Sequence, residues 1–124
     1  GTFGHAKKKN VYYLDMTYTL PEDILDHNGQ VIFRKGHTVN PLDMVSITKY
    51  IFIDGNRPEE VAFALAGNYR SIILMSGDAY ELAKKHKKQF YHADDSLVQA
   101  FKIEKVPLII EQEGRLIRAT EQPI

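Results

Sequence analysis

The side chains able to do chemistry are few and scattered along the chain. Histidine occurs at positions 5, 27, 37, 86 and 92. No two of these stand in the HExxH arrangement or in any comparable zinc-ligand spacing, so no metal centre is indicated. His86 and His92 read as a helix-end and a strand residue. Asp94 and Asp95 look like the paired carboxylates of acid–base chemistry, but adjacent aspartates just before a helical pattern read as caps. Ser76 also precedes a helical pattern, yet the Gly-x-Ser-x-Gly setting of a nucleophile elbow is missing. Asp54-Gly55 follows a strand-like run, the place where α/β sheets hold ligands, and turn and cap duty accounts for it. No phosphate-binding loop is present. Cysteine is absent, which removes dithiol exchange, a thiolate nucleophile and thiolate metal ligation together. These residues describe a non-enzyme that uses no cofactor and no metal.

The chain that carries them is one domain long, at 124 residues. A chain of this size buries roughly two-thirds of its unfolded surface and holds a core without staples. Lys+Arg and Asp+Glu both number 16; that balance argues against nucleic acid or an anionic membrane as partner. No apolar stretch approaches the roughly 20 residues needed to cross a bilayer.

Residues 1–10 (GTFGHAKKKN) have two glycines, three consecutive lysines and no apolar period, and read as a flexible terminus or a remnant of an N-terminal region. Residues 11–48 read as a β-rich arm. Val11 to Leu20 is aromatic and β-branched, hence extended. Asn28-Gly29 is a tight-turn signal between Ile24-Leu25 and Val31-Ile32-Phe33, so a β-hairpin is expected. A second turn falls at Lys35-Gly36, and Asn40-Pro41 ends the run.

Residues 49–124 alternate regularly. Tyr50 to Ile53 and Ser71 to Met75 are short apolar runs typical of strands buried on both faces. Asn56 with Glu59 predicts a capping box for a helix carrying Val61, Ala62, Leu65 and Ala66, ended by Gly67. Asp78 with Glu81 caps a second helix, lined by Ala79, Leu82, Ala83 and His86, whose lysines crowd its negative end. Gln89 to Ala93 reads as a strand, and Leu97, Val98 and Phe101 as a helical stripe after Asp94. Leu108 to Ile110 and Arg115 to Thr120 form a closing hairpin about Glu113-Gly114. The order β-α-β-α-β-α-β-β demands right-handed crossovers, a parallel core with antiparallel strands at one side, and helices on both faces.

Two features of residues 49–124 resemble the thioredoxin fold. Phe101 to Glu121 looks like the thioredoxin segment in which a helix ends, a hydrophobic residue precedes a proline and a hairpin follows. That resemblance implies a cis Val106–Pro107 bond. Ser76-Gly77-Asp78-Ala79-Tyr80 holds the place of the redox dithiol, at the opening of the helix after the second strand. The fold expected is therefore α/β: a thioredoxin-like mixed sheet with flanking helices, preceded by a β-rich arm.

A wider resemblance covers almost the whole chain. Asp23-Ile24 with Asp26 and Gly29, Asn40-Pro41-Leu42, Phe52-Ile53-Asp54-Gly55 with Pro58, Val61 and Ala62, Ser71 to Leu74 with Gly77, and Phe101, Ile103 and Val106-Pro107 follow one another as in the TraW family of F-type conjugative type IV secretion systems. GTFGH resembles the start of mature members of that family, in which a polar helical stretch normally lies before the β-arm; here Ala6 to Asn10 stand in its place. The resemblance implies a periplasmic protein of pilus assembly in plasmid transfer, a hetero-oligomer with TrbC-like and TraU-like proteins.

Two binding surfaces are expected. Tyr12, Tyr13 and Tyr18 put rings on opposite faces of one extended segment, more than one small core can enclose. With Ile32 and Phe33 they mark the arm as a docking element, by strand addition or groove filling. A groove between Ser76-Gly77-Asp78-Ala79-Tyr80 and Val106-Pro107 is the second candidate. It would serve a thioredoxin-fold chaperone or holdase that grips extended polypeptide without redox chemistry.

Overall fold

A computed structural model describes residues 2–124. The arm contributes β1 (Gly4–His5), β2 (Asn10–Leu14), β3 (Tyr18–Thr19), β4 (Ile24–Leu25), β5 (Val31–Phe33), β6 (Thr38–Val39) and a 3-10 turn (Pro41–Asp43). There follow β7 (Tyr50–Asp54), α1 (Pro58–Ala66), β8 (Ser71–Ser76), α2 (Ala79–His86), β9 (Phe90–His92), α3 (Asp95–Ala100), β10 (Lys105–Val106), β11 (Leu108–Glu113) and β12 (Leu116–Glu121).

Six strands form one mixed sheet in the order β2-β12-β11-β7-β8-β9. β7, β8 and β9 are parallel, as the two βα units between them require, and β11, β12 and β2 continue the sheet antiparallel. Ile51, Ile53, Ile72 and Leu74 point to the face covered by α1 and α2, where they meet Val61, Ala64, Ala79 and Phe90. Phe52, Ile73, Leu108, Ile110 and Ile117 point to the other face, packed with Phe101 and Ile103 and flanked by Leu97 and Val98 of α3. Both halves of each apolar run are therefore consumed, as period-two alternation on a two-sided sheet dictates. Each fully buried aliphatic or phenyl side chain contributes about 1.5–3 kcal/mol. The Phe52 and Phe101 rings meet edge-on with centroids 5.9 Å apart.

The hairpin forms where Asn28-Gly29 requires it. Gly29 has φ +82°, and the Asp26 carboxylate accepts from the Asn28 and Gln30 amides. β4 pairs with β5, and β3 with β6, each as a separate two-stranded ladder. Asn40 caps the 3-10 turn by accepting from the Leu42 amide at 3.0 Å and donates to the Arg115 carbonyl, which fastens the arm to the β11–β12 turn.

Three local expectations are revised. The segment expected as a flexible terminus contains β1, which pairs in parallel with β10, Gly4 opposite Lys105 and His5 opposite Val106. The strand expected to begin the arm is in fact the sheet's edge, with Tyr12 opposite Ala119 of β12. Spatial pairing with the C-terminal hairpin decides both, and local composition cannot reveal it. Finally, α1 begins one residue later than the capping box implies, with Arg57 at the cap position and no side-chain cap bond. Its buried face runs through Glu60, Val61 and Ala64, while Ala62 and Ala66 are exposed. By contrast, the expected caps of α2 and α3 form: Asp78 accepts from the Glu81 amide and Asp94 from the Leu97 amide.

Candidate functional site

Asp54, the last residue of β7, is the centre of the most connected polar cluster among the described residues. Its Oδ1 accepts from the Ser76 hydroxyl at 2.7 Å and from the Asn56 amide at 2.9 Å. Its Oδ2 lies 3.0 Å from His5 Nε2. Its own backbone amide donates to Oε1 of Glu60, whose side chain is wholly buried and whose Oε2 accepts from Arg57 at 3.1 Å. His5 Nε2 is 3.9 Å from that same Oε2. Burial works to raise the Asp54 pKa, but the Ser76, His5 and Asn56 hydrogen bonds outweigh it and hold the carboxyl below its usual range. For Glu60 burial prevails over the Asp54 amide, His5 and Arg57, and its pKa is raised.

Two glycines make this arrangement possible. A Cβ on Gly55 would stand 2.6 Å from the Ser76 carbonyl oxygen, and one on Gly77 would stand 2.8 Å from the Gly55 backbone. Gly77 also has φ +108°. The loops leaving β7 and β8 thus touch backbone to backbone, which side chains would prevent.

The Val106–Pro107 bond is cis, as the thioredoxin resemblance implies. Val106 and Pro107 are both fully buried. The amide of Gly4 donates to the Glu104 carbonyl and that of Ala6 to the Val106 carbonyl, each at 2.8 Å, so β1 lies along this segment.

The expected groove does not come together. β8, which ends at Ser76, and β11, which follows Pro107, lie on opposite sides of β7. Asp54 therefore stands between the two halves: Ser76 holds one of its oxygens, and His5, the neighbour of Val106, holds the other. Gly77 is packed on Gly55, Asp78 is spent on capping, Ala79 is buried, and Tyr80 projects into solvent at 72% exposure. The loop opening a helix beside the cis bond is Gly55 to Pro58, one βα unit earlier than expected. Sequence reasoning set aside His5 with the terminus and treated Asp54 as a turn residue. The carboxyl end of a strand was the available signal.

The arm residues separate by role. Tyr12 is half-buried, and its hydroxyl donates to the Phe101 carbonyl at 2.9 Å; burial, with Glu121 and Glu104 nearby, pushes its pKa up to about 12. Tyr13 and Tyr18 are half exposed. On the hairpin, Ile24, Leu25, Val31, Ile32 and Phe33 are all exposed by more than 40%, and none joins either core. Met44 and Val45, beyond the 3-10 turn, are also open to solvent. The described residues contain no group of three or more potential metal ligands, and no described helix is long and apolar enough to cross a membrane.

Fold and site together define a cysteine-free mixed α/β domain whose polar cluster is engaged with itself and whose apolar hairpin joins neither core, Phe33 stacking only on the His37 ring among the described residues. The chain is 30% identical over 110 residues to Protein TraW of Escherichia coli (strain K12), and this likeness supports a TraW family assignment. The match takes in 84% of this chain and 52% of that protein, so the chain spans about half the length of the curated relative it matches. No family model matches the chain, and no solved structure does so significantly.

Proposed function

We propose that this chain is a non-enzymatic, periplasmic assembly subunit of an F-type conjugative type IV secretion system, needed for pilus assembly and acting by protein–protein binding. Its partners on this reading are TrbC-like and TraU-like proteins of the same system. The likeness to TraW supports the setting. The observation that carries the binding role is the β4–β5 hairpin, which presents five large apolar side chains to water and contributes none to a core. A two-stranded hairpin is marginal on its own, and contiguous exposed apolar surface marks an interaction site. The scaffold is read as thioredoxin-like, on the support of parallel β7, β8 and β9 with β11 antiparallel beside β7.

The test is Ile32→Asp with Phe33→Asp, assayed by co-purification with the TrbC-like and TraU-like proteins. Both residues are exposed, so the variant keeps its thermal unfolding midpoint while capture falls at least tenfold. Undiminished capture of both partners would overturn the assignment of this surface. The holdase reading has less support, because it needs the backbone beside Val106 open and β1 lies along it.

A further inference from the structure

We propose that two copies of this chain associate through the outer edge of β2, pairing antiparallel about Tyr12 and joining their sheets into one. β2 is hydrogen-bonded to β12 on one side, and no described strand pairs with its other side. An edge five residues long is a template for another strand unless something blunts it. Here nothing does: Asn10, Val11, Tyr12, Tyr13 and Leu14 include no charge, no proline and no bulge.

The charges lie just outside the strand, with opposite signs at its two ends. Lys9 precedes it and Asp15 follows it; both are exposed, and among the described residues neither is in an ion pair, Asp15 accepting from the Thr17 amide at 2.9 Å. A two-fold axis normal to the sheet at Tyr12 sets Lys9 of each copy opposite Asp15 of the other. The same register places Val11 opposite Tyr13, an aromatic–β-branched pair that covers a tyrosine otherwise 50% exposed. Shifting the register by two residues either way loses the Lys9–Asp15 pairing. The strand's complement is thus its own sequence reversed, which commits the occupant to a second copy. The other sheet edge, β9, is only three residues long; Lys88 and Asp94 flank it at the same spacing, but Asp94 is engaged in capping α3.

Sedimentation of the purified chain over a range of concentrations tests this. A monomer–dimer equilibrium is expected. Lys9→Glu turns both symmetric attractions into repulsions and weakens the dimer by about tenfold or more. Adding Asp15→Lys to it restores the original affinity. Because the chain has no cysteine, chains bearing Val11→Cys and chains bearing Tyr13→Cys cross-link on oxidation when mixed, and neither does so alone. A chain monomeric at every concentration overturns the proposal, and would leave the edge to a strand of another protein. A dimer that ignores Lys9→Glu, or that forms no mixed cross-link, overturns it equally.

Discussion

Replacing Glu60 separates two accounts of why a carboxylate is buried in α1. Its side chain is wholly inside, accepting from the Asp54 amide at 2.9 Å and from Arg57 at 3.1 Å. Arg57 is 39% exposed on its side chain, so an abandoned guanidinium can turn to water, and its ion pair contributes little. The Asp54 amide has no such escape, because Asp54 is buried at the end of β7. A buried donor left without an acceptor costs about 1–3 kcal/mol. Glu60→Leu fills similar space but removes the acceptor, and is expected to cost about 2 kcal/mol, a drop of roughly 7 °C in unfolding midpoint for a domain of this size. Glu60→Gln keeps an oxygen for the amide and is expected to cost about 1 kcal/mol or less. Urea unfolding at neutral pH, read by circular dichroism, measures both. Equal losses in the two variants would refute the reasoning, since charge and not the amide's acceptor would then be what matters.

Asp54 and Glu60 give opposite pH dependences. The lowered Asp54 pKa supplies stability that is present above its unfolded value near 3.8 and lost as pH falls through the folded value, so Asp54→Asn should flatten the acid limb of a stability–pH curve. The raised Glu60 pKa acts the other way: stability falls as pH rises from about 4.5 through the folded value, and Glu60→Gln should remove that fall. Gly55→Ala should destabilise by about 2 kcal/mol or more, because the new methyl meets the Ser76 carbonyl at 2.6 Å; denaturant titration reads this directly. Tyr12→Phe should cost about 1 kcal/mol for its lost hydrogen bond. By ultraviolet titration it should leave the number of tyrosines ionising below pH 11 unchanged, since Tyr12 ionises only at about 12.

Much of the fold was legible because it rests on local signals. The apolar runs at Ile51 to Ile53 and Ile72 to Leu74 became buried parallel strands, and Asp78, Asp94 and Asn28-Gly29 did what their side chains and backbone permit. What escaped depends on distant pairing. Gly4-His5 carries no strand propensity and becomes a strand because Lys105-Val106 offers an open edge. Asn10 to Leu14 reads as part of an arm until Leu116 to Glu121 arrives beside it. The site failed for the same reason: Ser76 and Val106 can be placed correctly in the chain and still lie on opposite sides of β7. Ile32 and Phe33, expected on a docking element, are exposed in the fold, although their apolar run by itself has the pattern of residues that usually fill a core.

The pairing of β2 with β12 has a kinetic consequence. Asn10 donates to Glu121 across a sequence separation of 111 residues, so the sheet's first strand waits for its last one. Closing so long a loop is entropically costly and slows the step that depends on it. During synthesis the segment around Tyr12 has no strand partner among the described residues until Leu116 to Glu121 has emerged. A pair of molecules joined through that segment would accordingly be built from finished sheets, after the slowest intramolecular closure, and never from nascent chains.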